Sequence, residues 1–554
     1  MEWLQAYWCI SLPTKPLDVV HAERYLFVFP RAHRPPLVLH CLRFHRWYIF
    51  LAGFLAQLCA GILYAMIVVF ESFAGVFFED PDLISGALRS LVVGVIAYCI
   101  IAAFLTPLLE RRGPRWSMLF GTSFVVFGYL GLEVALLARL WPMMHIGLLF
   151  SSVGLGVVLL TSISTAQKWA PDLRGTISGL CSVGFSLGQP LWNWYFETLE
   201  EHGVPLQHYY WFVLAVMLPL LGLCTLILRT PPPDFFVRGH DMHGIPVDRA
   251  VKADVIHDEF LKVGMTLVNF DAIRRRSNES GTTDAEVTTR QYHEQVKALT
   301  LMQCVLSTDF VCLCMAFVAL STLNLPYIPL AAPGASWATD YAIANAESLK
   351  LHGALLGFAG RLGVPMVSDA VICVFYANPA FARKVTFVAV LLLAVIALPI
   401  CASDFDSTVP AMIYVTKFCG GAAASLVVCF LTDMYGVYNM GAMYAFAWSI
   451  WATVLLFVAP LVKVGVDGDT LLVFWALCLA GLVLLVFVRT TSRDRFYDGY
   501  RLSLCGRSIV DLPFGPRDDD ARDDDVRPPT MSPERGSFFI YEIDSDNGFQ
   551  KVHV

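Results

Sequence analysis

Twelve apolar stretches, each long enough to cross a bilayer, fall into two sets of six on either side of a roughly 70-residue polar segment, Arg229 to Thr300. Hydrocarbon admits backbone only where every amide is satisfied within the spanning structure, so runs of this length read as helices. The composition agrees: 56% of the 554 residues are hydrophobic and only 15% are charged. An all-α polytopic membrane protein follows, with twelve transmembrane helices in two six-helix bundles.

The spans are expected at Trp47 to Phe70, Leu91 to Leu109, Ser117 to Ala138, Met143 to Thr165, Gly175 to Phe196 and Trp211 to Leu228 in the first half. The second half should carry Leu301 to Leu323, Leu351 to Asp369, Val385 to Cys401, Pro410 to Leu431, Gly441 to Val462 and Leu471 to Val488. This divides the chain into an N-terminal tail (1–46), a first bundle (47–228), a linker (229–300), a second bundle (301–488) and a disordered acidic tail (489–554). The apolar patches at Tyr25 to Phe29 and Leu37 to Leu42 are too short to span. Basic residues crowd alternate short loops, with Arg111, Arg112 and Arg115 after span 2, Lys168 and Arg174 after span 4, and Arg383 and Lys384 after span 8. Positive loops stay in the cytoplasm, which puts both termini and the linker there, most simply at the plasma membrane. The net charge of −7 reflects acidic runs in the tail, such as Asp518 to Asp520, and points to no nucleic-acid partner. The 15 cysteines lie mostly inside spans without metal-ligand spacing, so neither a metal nor a cofactor is expected.

Between spans 2 and 3 stands Thr106-Pro107-Leu108-Leu109-Glu110-Arg111-Arg112-Gly113-Pro114-Arg115. It resembles the signature loop G-x-x-x-D-R-x-G-x-R of the major facilitator superfamily, with Glu110 at the acidic position. Gly360 to Asp369 stands at the equivalent place in the second half, with Asp369 ahead of Arg383. The resemblance implies a latch in each half, formed by Glu110, Arg111, Gly113, Arg115, Asp369 and Arg383 on the cytoplasmic side. The longer gap between Asp369 and Arg383 makes the second latch the weaker expectation. Three stretches, Arg46-Trp47 with Gly61 to Ala65, Lys168 to Gly175, and Tyr435 to Tyr444, are similar to the oxalate/formate antiporter-like, monocarboxylate transporter-like and nodulin-like branch of that superfamily.

An ionisable side chain at mid-membrane costs about 3 kcal/mol or more and asks for a partner or a role. Counting along the spans puts Asp309, Arg361 and Lys417 near the midplane, with Glu133 nearer the outer surface. The resemblance gives Arg361 the role of holding a substrate carboxylate; its alternative is a structural pair with Asp309. Lys417 is either a second substrate cation or the neutraliser of Asp309, and Asp309 and Glu133 are the proton-coupling candidates. Gln57, Tyr64, Gln189, Asn193 and Trp448 are expected to line the cavity. Val68 stands where the branch's span 1 lysine would fall, and span 11 has only Lys463 at its outer end, which favours one carboxylate over two.

These readings imply a secondary active transporter of a small, monocarboxylate-like organic anion, working by alternating access as a monomeric unit with protons. A carrier of a neutral or zwitterionic solute such as an amino acid, and a transport-inactive sensor, are the alternatives. No zinc-binding histidine pair, nucleophile elbow or phosphate-binding glycine loop stands in the sequence, so no enzyme activity is expected.

Overall fold

The computed structural model describes residues 7, 15–29, 37–78, 99–232, 235–245, 284–324, 346–375, 377–464, 468–497, 499–504, 507–513, 540–544 and 548–552. Helices occupy every expected span. In the first half these are α1 (Arg46–Ala60), α2 (Ile62–Gly75), α3 (99–112), α4 (Pro114–Ala138), α5 (Trp141–Lys168), α6 (Arg174–Glu201) and α7 (Tyr209–Ile227). After a helix in the central segment, α8 (Asp284–Ala298), come α9 (Thr308–Thr322), α10 (Ala346–Phe375), α11 (Pro379–Ser403), α12 (Phe405–Tyr435), α13 (Met440–Val464) and α14 (Gly468–Val486). The start of span 2, residues 91–98, lies outside the described residues. Among the described residues, eight helices are long and apolar enough to cross a membrane by themselves, and Thr308–Thr322 is a shorter apolar helix.

Local chemistry marks several boundaries. Gly113 adopts φ +87° directly before Pro114, so the signature loop turns sharply and α4 starts on a proline whose missing N–H costs nothing in a first turn. Asn378 caps α11 by accepting from the Ala380 N–H at 2.9 Å, again with proline at the first helical position. Span 7 begins as a short turn, Leu301–Val305, closed by a capping box between Thr300 and Gln303, and restarts at Thr308 under a second cap from Ser307. Span 1 is divided at Gly61, where α6 passes so close that a Cβ on the facing Gly188 would stand 2.8 Å from the Gly61 Cα.

Within the first half α4 packs on α5 and α7, and α1 on α5, α6 and α7; within the second, α10 and α11 pack on α12, and α11 and α9 on α14. The halves meet chiefly through α6 against α10 and α12. The glycines of α6 make this approach possible: a Cβ at Gly179 would lie 2.7 Å from the Arg361 carbonyl oxygen, a separation no real side chain tolerates.

Strands form among the described residues of both tails. The patches at residues 25–29 and 37–42 pair as an antiparallel hairpin, β1 (Tyr25–Phe29) with β2 (Leu37–Arg43). Arg229 holds it, its guanidinium donating to the carbonyls of Glu23 and Tyr25 at 2.9 Å each and of Leu26 at 2.5 Å, and stacking on Phe44 at 4.3 Å. The chain beyond Arg495 forms a separate unit, and its described residues are not irregular: Gly499–Leu504 pairs with Arg507–Pro513, and Ile540–Asp544 with Gly548–Val552. Alternation of apolar and polar residues, as in Tyr541-Glu542-Ile543-Asp544, suits strands better than a solvated coil.

Gly179→Leu should lower the melting temperature of the detergent-purified protein by several degrees, since forcing a side chain between packed backbones costs about 1–3 kcal/mol or more. Gly222→Ala, where an added Cβ meets nothing within 4 Å, should leave it unchanged; equal melting by both variants would contradict the packing argument.

Candidate functional site

Two regions collect the charged side chains of the spans. The first lies at the end of the helices that carries the signature loop. Here α6 begins without a side-chain cap of its own, since its N-cap residue is Leu173. Asp369, at the far end of α10, supplies the missing acceptor: Oδ1 takes the Gly175 N–H at 3.0 Å, and Oδ2 takes the Thr176 N–H at 2.7 Å and its hydroxyl at 2.8 Å. A carboxylate from the second half thus caps a helix of the first, where the helix dipole favours negative charge.

Asp369 also accepts from Arg383 at 2.5 Å, and Arg383 reaches Asp433 of α12 through Nε at 3.1 Å. Asp433 in turn accepts from Arg174 of the first half at 2.6 Å. The Ser178 hydroxyl donates to the Ser425 carbonyl at 2.5 Å, one turn further in. Two arginines and two aspartates therefore balance in a buried cluster in which no charge is left uncompensated.

The first latch differs. Glu110 accepts from Lys168 and from the Ser164 hydroxyl, both in its own half, while Gly441 of α13 lies beside it. Arg111 donates to the Tyr7 carbonyl and stacks on the Tyr7 ring, and Arg115 donates to the Leu226 carbonyl at 3.3 Å. The two carboxylates thus differ in reach, Glu110 bonding within its own half and Asp369 across the halves. The long sequence gap between Asp369 and Arg383 closes because α11 turns back immediately after Asn378 and sets the two side by side.

The central segment reaches the same cluster instead of standing clear of it as a simple linker. Arg174 donates to the Met242 carbonyl at 3.1 Å, the Tyr292 hydroxyl of α8 donates to the Asp433 carbonyl at 3.3 Å, and Tyr438 donates to the Met242 sulfur at 3.4 Å. His243 and His293 are buried among these groups. Burial, with Arg174 beside both and Lys297 and Lys168 beside His243, pushes each imidazole down to about 4, against opposing attraction from Asp241 and, at His293, Asp433.

The second region lies deeper. Arg361 is on α10, eight residues or about 12 Å of helix inward from Asp369. Its guanidinium lies within electrostatic reach of the phenols of Tyr64 on α2 and Tyr444 on α13 and of Lys417 on α12, and its Nε has no hydrogen-bond partner. Close packing of α10 on α12 through Gly357 and Gly421 sets the two cations side by side; a Cβ at Gly421 would stand 3.3 Å from Arg361 Nη1. Trp448 adds an aromatic wall against Tyr444, Phe317 and Trp451.

Asp309 belongs to neither the midplane nor this cation pair. It sits in the first turn of α9 and is held by Arg489, whose Nη2 donates to Oδ2 at 2.9 Å and whose backbone N–H donates to Oδ1 at 2.8 Å. The helix restart at Thr308 leaves Asp309 in the first turn of α9, beside Arg489. The structural alternative for Arg361, a pair with Asp309, is therefore not the arrangement formed. Gln57 is a bridge between helices, donating to the Leu159 carbonyl at 2.9 Å and to the Ser162 hydroxyl at 3.0 Å. Gln189 is half-buried on α6, and Asn193 is half-buried there with an unpartnered Oδ1. Glu133 binds His208 at 2.9 Å, away from both regions.

The sequence reading missed Asp433, Arg489 and Tyr444 as site residues. The first two close apolar runs, where a charge marks an edge and says nothing of a partner.

A sequence model described as Major Facilitator Superfamily matches residues 49–460. The chain belongs to the major facilitator superfamily. It is accordingly an integral multi-pass membrane protein. Solved members share the fold: the proton:xylose symporter XylE (14% identity, 80% of this chain and 96% of that one, TM-score 0.52) and the human organic anion transporter MFSD10 (13%, 80% and 100%, TM-score 0.51). Curated relatives align over shorter stretches. An MFS-type transporter 1 of Ophiocordyceps sp. is 23% identical over 34% of this chain, and the oxalate:formate antiporter of Oxalobacter formigenes is 29% identical over 14% of it. The alignments span 42% and 18% of those relatives' own lengths.

Asp369→Asn should loosen the contact between the halves more than Glu110→Gln does, because only the former removes a charge shared across them; breaking a buried pair costs about 3–5 kcal/mol. Hydrogen exchange at residues 174–180 reads this, and equal exchange in both variants would contradict that difference in reach. The docked central segment should also depend on pH. Its two histidines are depressed when buried, so their contribution is complete above about 6.5 and is lost as pH falls toward about 4. Exchange at residues 240–245 should rise over that window in the wild type and not in His243→Gln/His293→Gln.

Proposed function

We propose that this superfamily member is a secondary active transporter of small organic anions, opening alternately to either side of the membrane. The observation that carries the reading is the pair Arg361 and Lys417, set together in the interior with phenols and indole around them. A solute entering there meets positive charge, a planar guanidinium fork matched to the two oxygens of a carboxylate, and hydroxyl and indole donors. The similarity to the organic anion transporter MFSD10 and to the oxalate:formate antiporter supports the same class of solute. A small anion of one carboxylate is the simplest occupant, with Arg361 as its anchor, Lys417 and Tyr444 beside it, and Tyr64 facing it from the first half.

In this reading the cluster of Asp369, Arg383, Asp433 and Arg174 is the cytoplasmic gate, and the conformation is closed on that side. Gly113 sets the turn before α4, and Glu110, Arg111 and Arg115 hold the signature loop to its own half. The plasma membrane is the proposed location and the monomer the transport unit.

Uptake of labelled formate, lactate, oxalate and alanine into proteoliposomes, with and without an imposed pH gradient, tests the proposal. Carboxylates should accumulate and alanine should not. Arg361→Ala should cut uptake about 10- to 100-fold, the worth of a lost charge-assisted hydrogen-bond pair, and Arg361→Lys should fall between. Carboxylate uptake untouched by Arg361→Ala would remove that residue from the site. Preferential uptake of alanine would replace the anion reading with a zwitterion carrier.

A further inference from the structure

A third group of polar side chains lies between α4, α7 and the short turn Leu206–His208, apart from both regions above. Glu133 of α4 is 2% exposed, Tyr129 one turn earlier is 1% exposed, and Tyr210 of α7 is fully buried. Tyr210 is within electrostatic reach of both other groups, and the rings of Tyr129 and Tyr210 stand 5.4 Å apart. Glu133 Oε2 and both phenol oxygens lack hydrogen-bond partners, three orphaned polar atoms in one place. Only Oε1 is engaged, at 2.9 Å from His208 Nδ1, and the His208 side chain is 46% exposed. Among the described residues, the charged or titratable groups acting on the cluster are His208 against Glu133, Cys59 of α1 against Tyr129, and the phenols themselves, with no arginine or lysine.

A buried carboxylate hydrogen-bonded to a half-exposed imidazole has an obvious ligand, because each can carry the same proton. The cluster also touches the span that enters the anion site. Phe73 of α2 stacks on Tyr210 at 5.3 Å between ring centroids, and Tyr64, nine residues or about 13 Å back along the same helix, is the phenol beside Arg361. Gly61, whose amide still donates to the Gln57 carbonyl at 2.9 Å, stands between α1 and α2.

We propose that Glu133 and His208 form the proton-binding site of the transporter, and that α2 connects its occupancy to the anion site through Phe73 and Tyr64. A proton from solution binds His208 Nε2 and the proton on Nδ1 passes to Glu133 Oε1, leaving a neutral imidazole and a neutral carboxylic acid. One proton enters, no bond between heavy atoms changes, and the charge beside Tyr210 disappears. Tyr210 then settles differently against Phe73, which shifts α2 and the phenol facing Arg361. The inference rests on the anion-transport reading for the role of Tyr64, but not for the proton site itself.

Infrared difference spectroscopy on the purified full chain tests the site without any substrate. As pH is lowered from about 8 to about 4, the range of ordinary histidine and glutamate titration, a carboxylic-acid band should appear in the wild type and be absent from Glu133→Gln. His208→Gln, altered at a half-exposed position, should keep the band and shift its midpoint. A wild-type spectrum with no band removed by Glu133→Gln overturns the assignment, and so does a band displaced by sodium in place of choline, which would mark a metal-cation site. Uptake of labelled formate and lactate supplies the second readout: Glu133→Gln should keep counterflow exchange and lose stimulation by a pH gradient. Stimulation that survives Glu133→Gln refutes the coupling, whereas absence of carboxylate uptake in the wild type would refute the anion reading and leave the spectroscopic result to decide the proton site.

Discussion

In the proposed cycle, the interaction on which the closed arrangement turns is Asp369 at the N-terminus of α6. A helix that starts on Leu173 has amides pointing at whatever lies below it, and here the acceptor comes from the other half of the chain. Three donors from the first half and one guanidinium from the second converge on a single carboxylate. This contact suits a closure that must be reversible. When the halves part, water can replace the carboxylate at the amides, and Asp369 keeps Arg383, so neither surface is left with a bare charge in a dry place. The contact is short-range, which makes the closed state well defined, and it is also replaceable.

The packing around it explains why the contact can form. Gly175 and Gly179 bring α6 within backbone distance of α10, while Gly184 and Gly188, on the opposite side, bring the same helix within backbone distance of span 1. One helix therefore touches both its own half and the other at close range. Further in, Gly357 and Gly421 perform the same service between α10 and α12, and the consequence there is chemical: Arg361 and Lys417 share one neighbourhood despite their mutual repulsion. Helix packing places the two cations together, and the proposed anionic solute is what would make that placement favourable.

Much of this was legible in the sequence, and what was not has physical reasons. Long apolar runs fixed the helices because hydrocarbon leaves backbone no other choice. The signature loop and its repeat pointed to the right family. Their partners were not legible: whether a carboxylate bonds within its half or across it depends on how tightly the helices approach, and Glu110 and Asp369 differ in that alone. Asp309 was misplaced because span 7 was taken as one helix, although Thr300-x-x-Gln303 and Ser307 are ordinary cap signals that divide it. The central segment looked like a plain linker because its composition is polar; that His243 and Tyr292 are buried under the cluster depends on partners some 140 to 200 residues away, such as Tyr438 for Met242.

The distribution of groups around the interior cations bears on how a bound solute would be enclosed in the proposed cycle. Arg361, Lys417, Tyr444 and Trp448 all belong to the second half, so the charge that would attract an anion stays fixed to one rigid set of helices. The first half contributes Tyr64, from a helix segment set off from the rest of its span at Gly61. Enclosure then requires no rearrangement of the charged groups. It requires only that α2 bring a phenol toward them, a motion that exchanges solvent for a hydroxyl donor and an aromatic face. An attractive site on one half and a movable cover on the other separates affinity from access: substitutions at the cations act on binding, and substitutions along α2 act on the rate at which the site opens and closes.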